Sequence, residues 1–374
     1  MRRACLLFVF VCLSLTPFVR ADDPGKATGR RLYVAEPGIR DLLEYGGHGI
    51  LVFDIDNGHK FLRRIPTGGL DPKTGKPLNV KGICADAASG RVYVCTTQQM
   101  MAIDLLTDKL LWEKRYDQGC DRMSISPDGK TIYLPSFEGP IWHVIDASTG
   151  NEIAQVEPKS GAHNTVYGRD GKEAYLAGLK SPLLTIADTA THKVARTVGP
   201  FAASIRPFTV NGSQTLAFVN VNDLLGFEIG DIKTGKKLYR VEVQGYAKGA
   251  IKRHGCPSHG IGLTPDETEV WVVDAFNKKV HIFDATVMPP VQKLSIPLRD
   301  EPGWVTFSID GTLAYPSTGE VIDVATKKII ATLTDEESRQ VMSEKMLEID
   351  FLDGKPVRNG DQFGIGRVTS LPGK

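Results

Sequence analysis

Apolar and polar residues alternate along most of this chain, in short runs broken by turn residues. One unit recurs: an apolar strand, a turn, and a second strand ending in aromatic and branched side chains. It reads SISPDGKTIYLPS at 124–136, VYGRDGKEAYLAG at 166–178, FTVNGSQTLAFVN at 208–220, GLTPDETEVWVVD at 262–274 and FSIDGTLAYPS at 307–317. A weaker copy, CADAASGRVYVCT, lies at 84–96. Asp-Gly and Asn-Gly between alternating runs predict hairpins, because glycine takes up the positive φ that such turns require. A third strand follows each hairpin and ends on a carboxylate: Asp54, Asp104, Asp146, Asp188, Asp231, Asp284 and Asp323. A turn and a fourth strand come next, as in TGNEIAQV at 149–156. Four strands repeating every roughly 40–50 residues predict the blades of a β-propeller. Seven carboxylates predict seven blades, and the Asp residues themselves suit turn capping.

The two ends of the repeat explain each other. The first strand-like run, RLYVAEP at 31–37, looks like a second strand, which leaves blade one without its inner strand. KMLEIDFLDG at 345–354 has the alternation of an inner strand followed by an Asp-Gly turn. Pairing the two would close the ring and leave no long open edge. Thr334-Asp335-Glu336-Glu337 has the spacing of a capping box, predicting a short helix that joins blade seven to the closing strand. The expected organisation is a signal peptide at 1–21, a short linker at 22–30, an all-β seven-bladed propeller of antiparallel strands at 31–354 and a C-terminal tail at 355–374.

Composition narrows the partners. With 41% hydrophobic and 24% charged residues the chain can bury a large core, which excludes a disordered protein. A formal charge of +1 excludes bulk binding to nucleic acid. Arg2 and Arg3 precede an apolar run from Leu6 to Leu15, and Val19-Arg20-Ala21 fits a cleavage site, so export to the periplasm or medium is expected. No later run is long enough to span a membrane. A monomer is expected. Cleavage after Ala21 would leave Cys84, Cys95, Cys120 and Cys256. A two-residue Ser89-Gly90 turn would set Cys84 opposite Cys95, as a strained cross-strand disulfide or as two buried thiols.

The PDGK-x-x-Y and V-x-x-x-D-x-x-T punctuation resembles the bacterial YVTN-type β-propeller repeat, within the superfamily of quinoprotein amine dehydrogenase-like and lactonase-like propellers. The resemblance covers about residues 30–354. It implies the propeller fold and leaves enzymes, binding proteins and surface scaffolds open, since fold does not fix function.

In a propeller, residues at the start of each inner strand converge on the channel mouth. Counting back from Pro127 in SPDG reaches Asp121, and the equivalent places are His163, Ser204, His259, Gly303 and Gly82. Arg122 and Asn164 occupy the next place, with Arg206 and Trp304 close by. His163, His259 and Asp121 are therefore the candidate catalytic set. They suit acid–base chemistry or, as two imidazoles and a carboxylate, a divalent metal. Arg122, Asn164, Arg206 and Trp304 are candidate ligand contacts. Three long loops on the same face, 37–49, 65–82 and 245–260, add His48, Lys252 and His254. This cationic lining suggests a small polar or anionic ligand such as a sugar acid, handled by a lactonase-like hydrolase or a lyase. The alternative is a non-catalytic scaffold that docks a protein on that face. His59, His143, His192 and His281 fall on outer strands or turns and read as surface or packing residues.

Overall fold

Each of the seven third strands ends on the carboxylate that marks it in the sequence, and six of those carboxylates turn back to cap the next turn. In the computed structural model, which describes residues 29–369, Asp104, Asp146, Asp188, Asp231 and Asp323 accept backbone N–H groups three residues on, from Thr107, Thr149, Thr191, Thr234 and Thr326. Asp284 accepts the N–H two residues on, from Thr286. Such Asx turns satisfy backbone donors that would otherwise be lost where the strand stops. Asp54 instead pairs with Arg31, 2.7 Å away. The expected signal peptide and most of the expected linker lie outside the described residues.

The sheets follow chain order as seven antiparallel blades. Blade two runs from Val80–Asp86 to Leu110–Arg115, blade three from Ser124–Ile125 to Glu152–Val156 and blade four from Ala162–Tyr167 to Lys193–Val198. Blade five runs from Ile205–Val210 to Lys236–Glu242, blade six from Ile261–Leu263 to Val291–Pro297 and blade seven from Val305–Phe307 to Lys328–Thr332. A β-bulge between third and fourth strands recurs in all seven blades, for example at Val144/Ile145 and Ile282/Phe283. Bulges increase local twist, which lets one sheet turn from the channel wall to the outer rim. Seven buried apolar clusters fill the seven blade-to-blade interfaces. No helix among the described residues is long and apolar enough to cross a membrane.

Blade one closes the ring. Gly29–Glu36 pairs with Met346–Leu352, as in Tyr33↔Leu347 and Arg31↔Ile349. The chain then turns at Asp353-Gly354 and adds a fifth strand, Lys355–Asn359, to the same sheet. The segment read from sequence as a tail is thus partly a strand, and its continuation crosses the ring. Gln362 accepts the Ile83 N–H through its side chain and the Trp304 indole N–H through its carbonyl. Gly364 O accepts from Leu263 N and Thr209 Oγ1, and Gly366 N donates to Val210 O. Thr209, Val210 and Leu263 sit at or near the ends of inner strands, opposite the strand starts, whereas Ile83 is mid-strand and Trp304, just before a strand start, reaches the segment through its indole.

Two local expectations are corrected. Thr334–Glu337 forms no helix; Thr334 bridges to Gln340, and the Asp335 carboxylate caps Glu337 N and Arg339 N. Cys84 does not face Cys95. The hairpin pairs Asp86 with Arg91 around a four-residue turn, so Cys84 lies opposite Tyr93 and Cys95 opposite Gly82. All four described cysteines are free and buried. His59, His143 and His281 are buried and bonded to Tyr315, Glu152 and Asp274 respectively, so these are packing residues.

Candidate functional site

The inner strands begin at one end of the ring, and their first residues meet there. Arg122 bridges to Asn164 across blades three and four, and the His163 and His259 rings lie 6.3 Å apart. Gly82 and Gly303 are small for a reason. A Cβ at Gly82 would press on the Arg122 and Met123 backbone, and one at Gly303 would overlap His254 and Glu344.

Five side chains form one hydrogen-bonded chain. His163 Nδ1–H donates to Asp121 Oδ2 at 2.7 Å. Its Nε2 then accepts from Arg122 Nη1 at 3.3 Å. Arg122 Nη2 donates to Glu344 Oε2 at 2.5 Å, and Lys345 Nζ donates to the same oxygen at 2.7 Å. The Arg122 guanidinium also lies over the Trp304 ring, 4.9 Å from its centre. Burial favours the neutral forms, and the charges decide which win. Asp121 is held well below the usual carboxylate range, because Lys81, His163 and Arg122 outweigh its desolvation. Desolvation brings His163 down to about 4 despite Asp121, and pushes His259 well below its ordinary value. Glu344 is held low against its own burial by Lys345, Arg122 and His254. Burial lowers Lys345 to about 8, partly offset by Glu344. Near neutral pH the network is therefore ionised carboxylates and cations with neutral imidazoles at His163 and His259.

Above it lies a cavity of about 270 Å³. It is lined by Arg40, Lys81, Arg122, Arg206, Arg253 and Lys345, by His163, His254 and His259, and by only two carboxylates, Glu138 and Glu344. Two of the long loops are fastened together over it. Arg40 donates to Arg253 O, and Arg253 donates to Tyr45 Oη at 2.9 Å. Arg206 is aimed by Asn222 Oδ1 at 2.5 Å and Gly255 O at 3.1 Å.

The residues expected from sequence divide as follows. His163, His259, His254, Arg122 and Arg206 line the cavity. Asp121 is fully buried on the Nδ1 side of His163 and does not line it. Its oxygens serve His163, Lys81 at 3.3 Å and the Arg122 backbone N–H. The trio His163, His259 and Asp121 is therefore not gathered around one point. Among the described residues the gathered set is His254, His259 and Glu344, whose ligand atoms all lie within 4.8 Å. Trp304 is a buried platform under Arg122. Asn164 is buried with neither amide atom bonded to protein. His48 bonds to Gly68 O and Thr67 outside the lining, and the Lys252 side chain is exposed.

Sequence reasoning missed Glu344, Lys345 and Glu301. A signal for the first two existed. The closing strand has the same Asp-Gly turn as blade three, and the same count back from it ends at Met346, beside Lys345 and Glu344.

These features define a seven-bladed propeller with a cationic, imidazole-rich mouth. No protein-family model matches the chain, and no curated protein does. Among solved structures the chain is similar to Kuenenia stuttgartiensis hydrazine synthase, with a TM-score of 0.60 and 15% identity, covering 76% of this chain and 89% of that one. At that identity the likeness is one of fold. The YVTN resemblance rests on the strand and turn residues quoted above.

Proposed function

We propose that this protein binds a small organic anion, of the carboxylate or sugar-acid class, at the mouth of its propeller. The observation that carries the reading is the charge of the cavity wall, six cations against two carboxylates: Asp121, Asp300 and Glu344 neutralise Lys81, Arg253, Arg122 and Lys345, and among the described residues Arg40 and Arg206 have no carboxylate partner. Clustered, preoriented cations in a partly desolvated recess favour an anion more strongly than the same groups on an open surface. Binding is favoured over hydrolysis, because His163 uses both ring nitrogens on Asp121 and Arg122. His163 is thus a positioning residue for Arg122.

The test is calorimetric titration with gluconate and with sulfate. Arg206→Gln removes one aimed cation without touching the buried network. Loss of a charge-assisted hydrogen bond at a partly exposed site corresponds to about a tenfold weaker Kd. Binding that is unaffected by Arg206→Gln, or no binding of either anion at millimolar concentration, refutes the proposal.

A further inference from the structure

The two imidazoles and one carboxylate gathered at the cavity wall have the supporting contacts of a metal centre. His259 donates Nδ1–H to Gly303 O at 2.9 Å, which fixes the ring and leaves Nε2 as its lone-pair nitrogen. Metal-binding histidines characteristically spend their second nitrogen on such a carbonyl. Glu344 has Oε2 held by Arg122 and Lys345, so Oε1 is the oxygen turned toward His254, 3.1 Å from Nδ1. With no cation present this is a hydrogen bond from His254 Nδ1–H to Glu344 Oε1; two ligands of a tetrahedral zinc ion with bonds of about 2.0–2.1 Å lie about 3.3 Å apart, so a cation can replace that proton with little movement of either group. His254 carries the second sign. Its side chain is only 4% exposed, yet Nε2 has no hydrogen-bond partner. Glu301 Oε1 lies 4.0 Å from it. That carboxylate is itself anchored by the Lys252 and Arg253 backbone N–H groups. If Nδ1 gives its lone pair to a cation, the ring proton moves to Nε2 and faces Glu301, completing a carboxylate–histidine–metal relay.

We infer that His254, His259 and Glu344 form a binding site for a divalent transition metal of the zinc class, with its remaining coordination positions open to the cavity. Two nitrogens and one oxygen match the donor preference of zinc rather than of calcium or magnesium. Three protein ligands leave a position free, as in catalytic rather than structural zinc sites. Arg122 and Lys345 reduce the pull of Glu344 on a cation, so the open position favours an anionic ligand. The inference thus deepens the anion-binding reading, supplying the cation against which a carboxylate would seat. The register of inner-strand starts reaches His259 directly and only the neighbourhood of Glu344, and it misses His254, which lies in a loop insertion.

The experiment uses the full chain, purified without a polyhistidine tag, stripped with chelator and titrated with Zn²⁺ or Co²⁺. One equivalent of zinc should survive gel filtration, and Co²⁺ should give visible absorption bands of low coordination number. His254→Ala and His259→Ala should each weaken binding at least about a hundredfold, and Glu301→Gln about tenfold, the usual cost of a lost supporting contact. If either alanine variant misfolds, X-ray absorption on the zinc-loaded wild type replaces it and should count two imidazoles on the metal. Less than a tenth of an equivalent bound, no loss in the folded variants, or fewer than two imidazoles would overturn the inference. Sulfate titration of the chelator-stripped protein keeps the two readings apart. Anion binding sensitive to Arg206→Gln without any metal affinity sinks only the metal site, and the reverse result sinks only the anion site.

Discussion

Protonation of buried histidines should cost this propeller stability between about pH 6.5 and 4. His163 and His59 are both held near 4 by burial, against an ordinary value of 6.5, and His259 lies well below it too. The sign follows from which state takes the proton. Between about pH 6.5 and 4 the unfolded chain protonates these rings and the folded chain does not, so stability present above 6.5 is lost as pH falls through that window. For a shift from 6.5 to about 4, each ring costs about 2 kcal/mol at pH 5, and the two with defined values together cost about 4 kcal/mol. His259 adds to this in the same direction. Burial shifts Glu36 and Glu348 upward, which works against this loss in the same window, so urea unfolding from pH 8 to 5 measures the histidine share as the difference between wild type and a variant lacking one ring. His59 gives a control outside the cavity. It sits at φ 61°, where asparagine is tolerated, so His59→Asn should remove one ring's share of the decline without backbone strain. An unchanged slope in His59→Asn would refute the assignment of that ring as buried and neutral.

Three further outcomes are expected. Asp121→Asn leaves Lys81 and Arg122 facing a neutral amide, and breaking a buried charge network of this kind should cost about 3–5 kcal/mol in urea unfolding; a cost under about 1 kcal/mol would mean the site is wetter than described. Cys84, Cys95, Cys120 and Cys256 are buried, with thiols pushed up by desolvation, so none should react with an aromatic disulfide reagent until the protein is denatured. Ending the chain at Asn359 removes Phe363 from its cluster and the acceptors of Thr209, Leu263 and Trp304, so the thermal midpoint should fall by several degrees; an unchanged midpoint would show that the crossing segment contributes nothing.

The ring was legible because its signals are local and repeated. Asp-Gly turns and strand-ending carboxylates act within three residues, and seven copies average out any degenerate one. The mouth was legible where it obeyed the same register, as with Asp121, His163 and His259. It was hidden where it did not. Glu344 and Lys345 belong to the segment after the last blade, and which oxygen of Glu344 meets His254 depends on a fold-back across the whole chain. The roles were also underdetermined: Asp121 and His163 look like a ligand pair in sequence, and only burial turns them into the brace behind Arg122. The mispaired cysteines have a similar cause, since two extra residues in the Ala87–Gly90 turn shift every partner in that hairpin.

The stretch from Gly360 to Thr369 passes beneath the ring, tying blades two, five, six and seven to one another. That segment works as a belt: drawing those blades apart must also break hydrogen bonds to residues more than fifty positions away in the chain, so local fraying of one blade is resisted by the others.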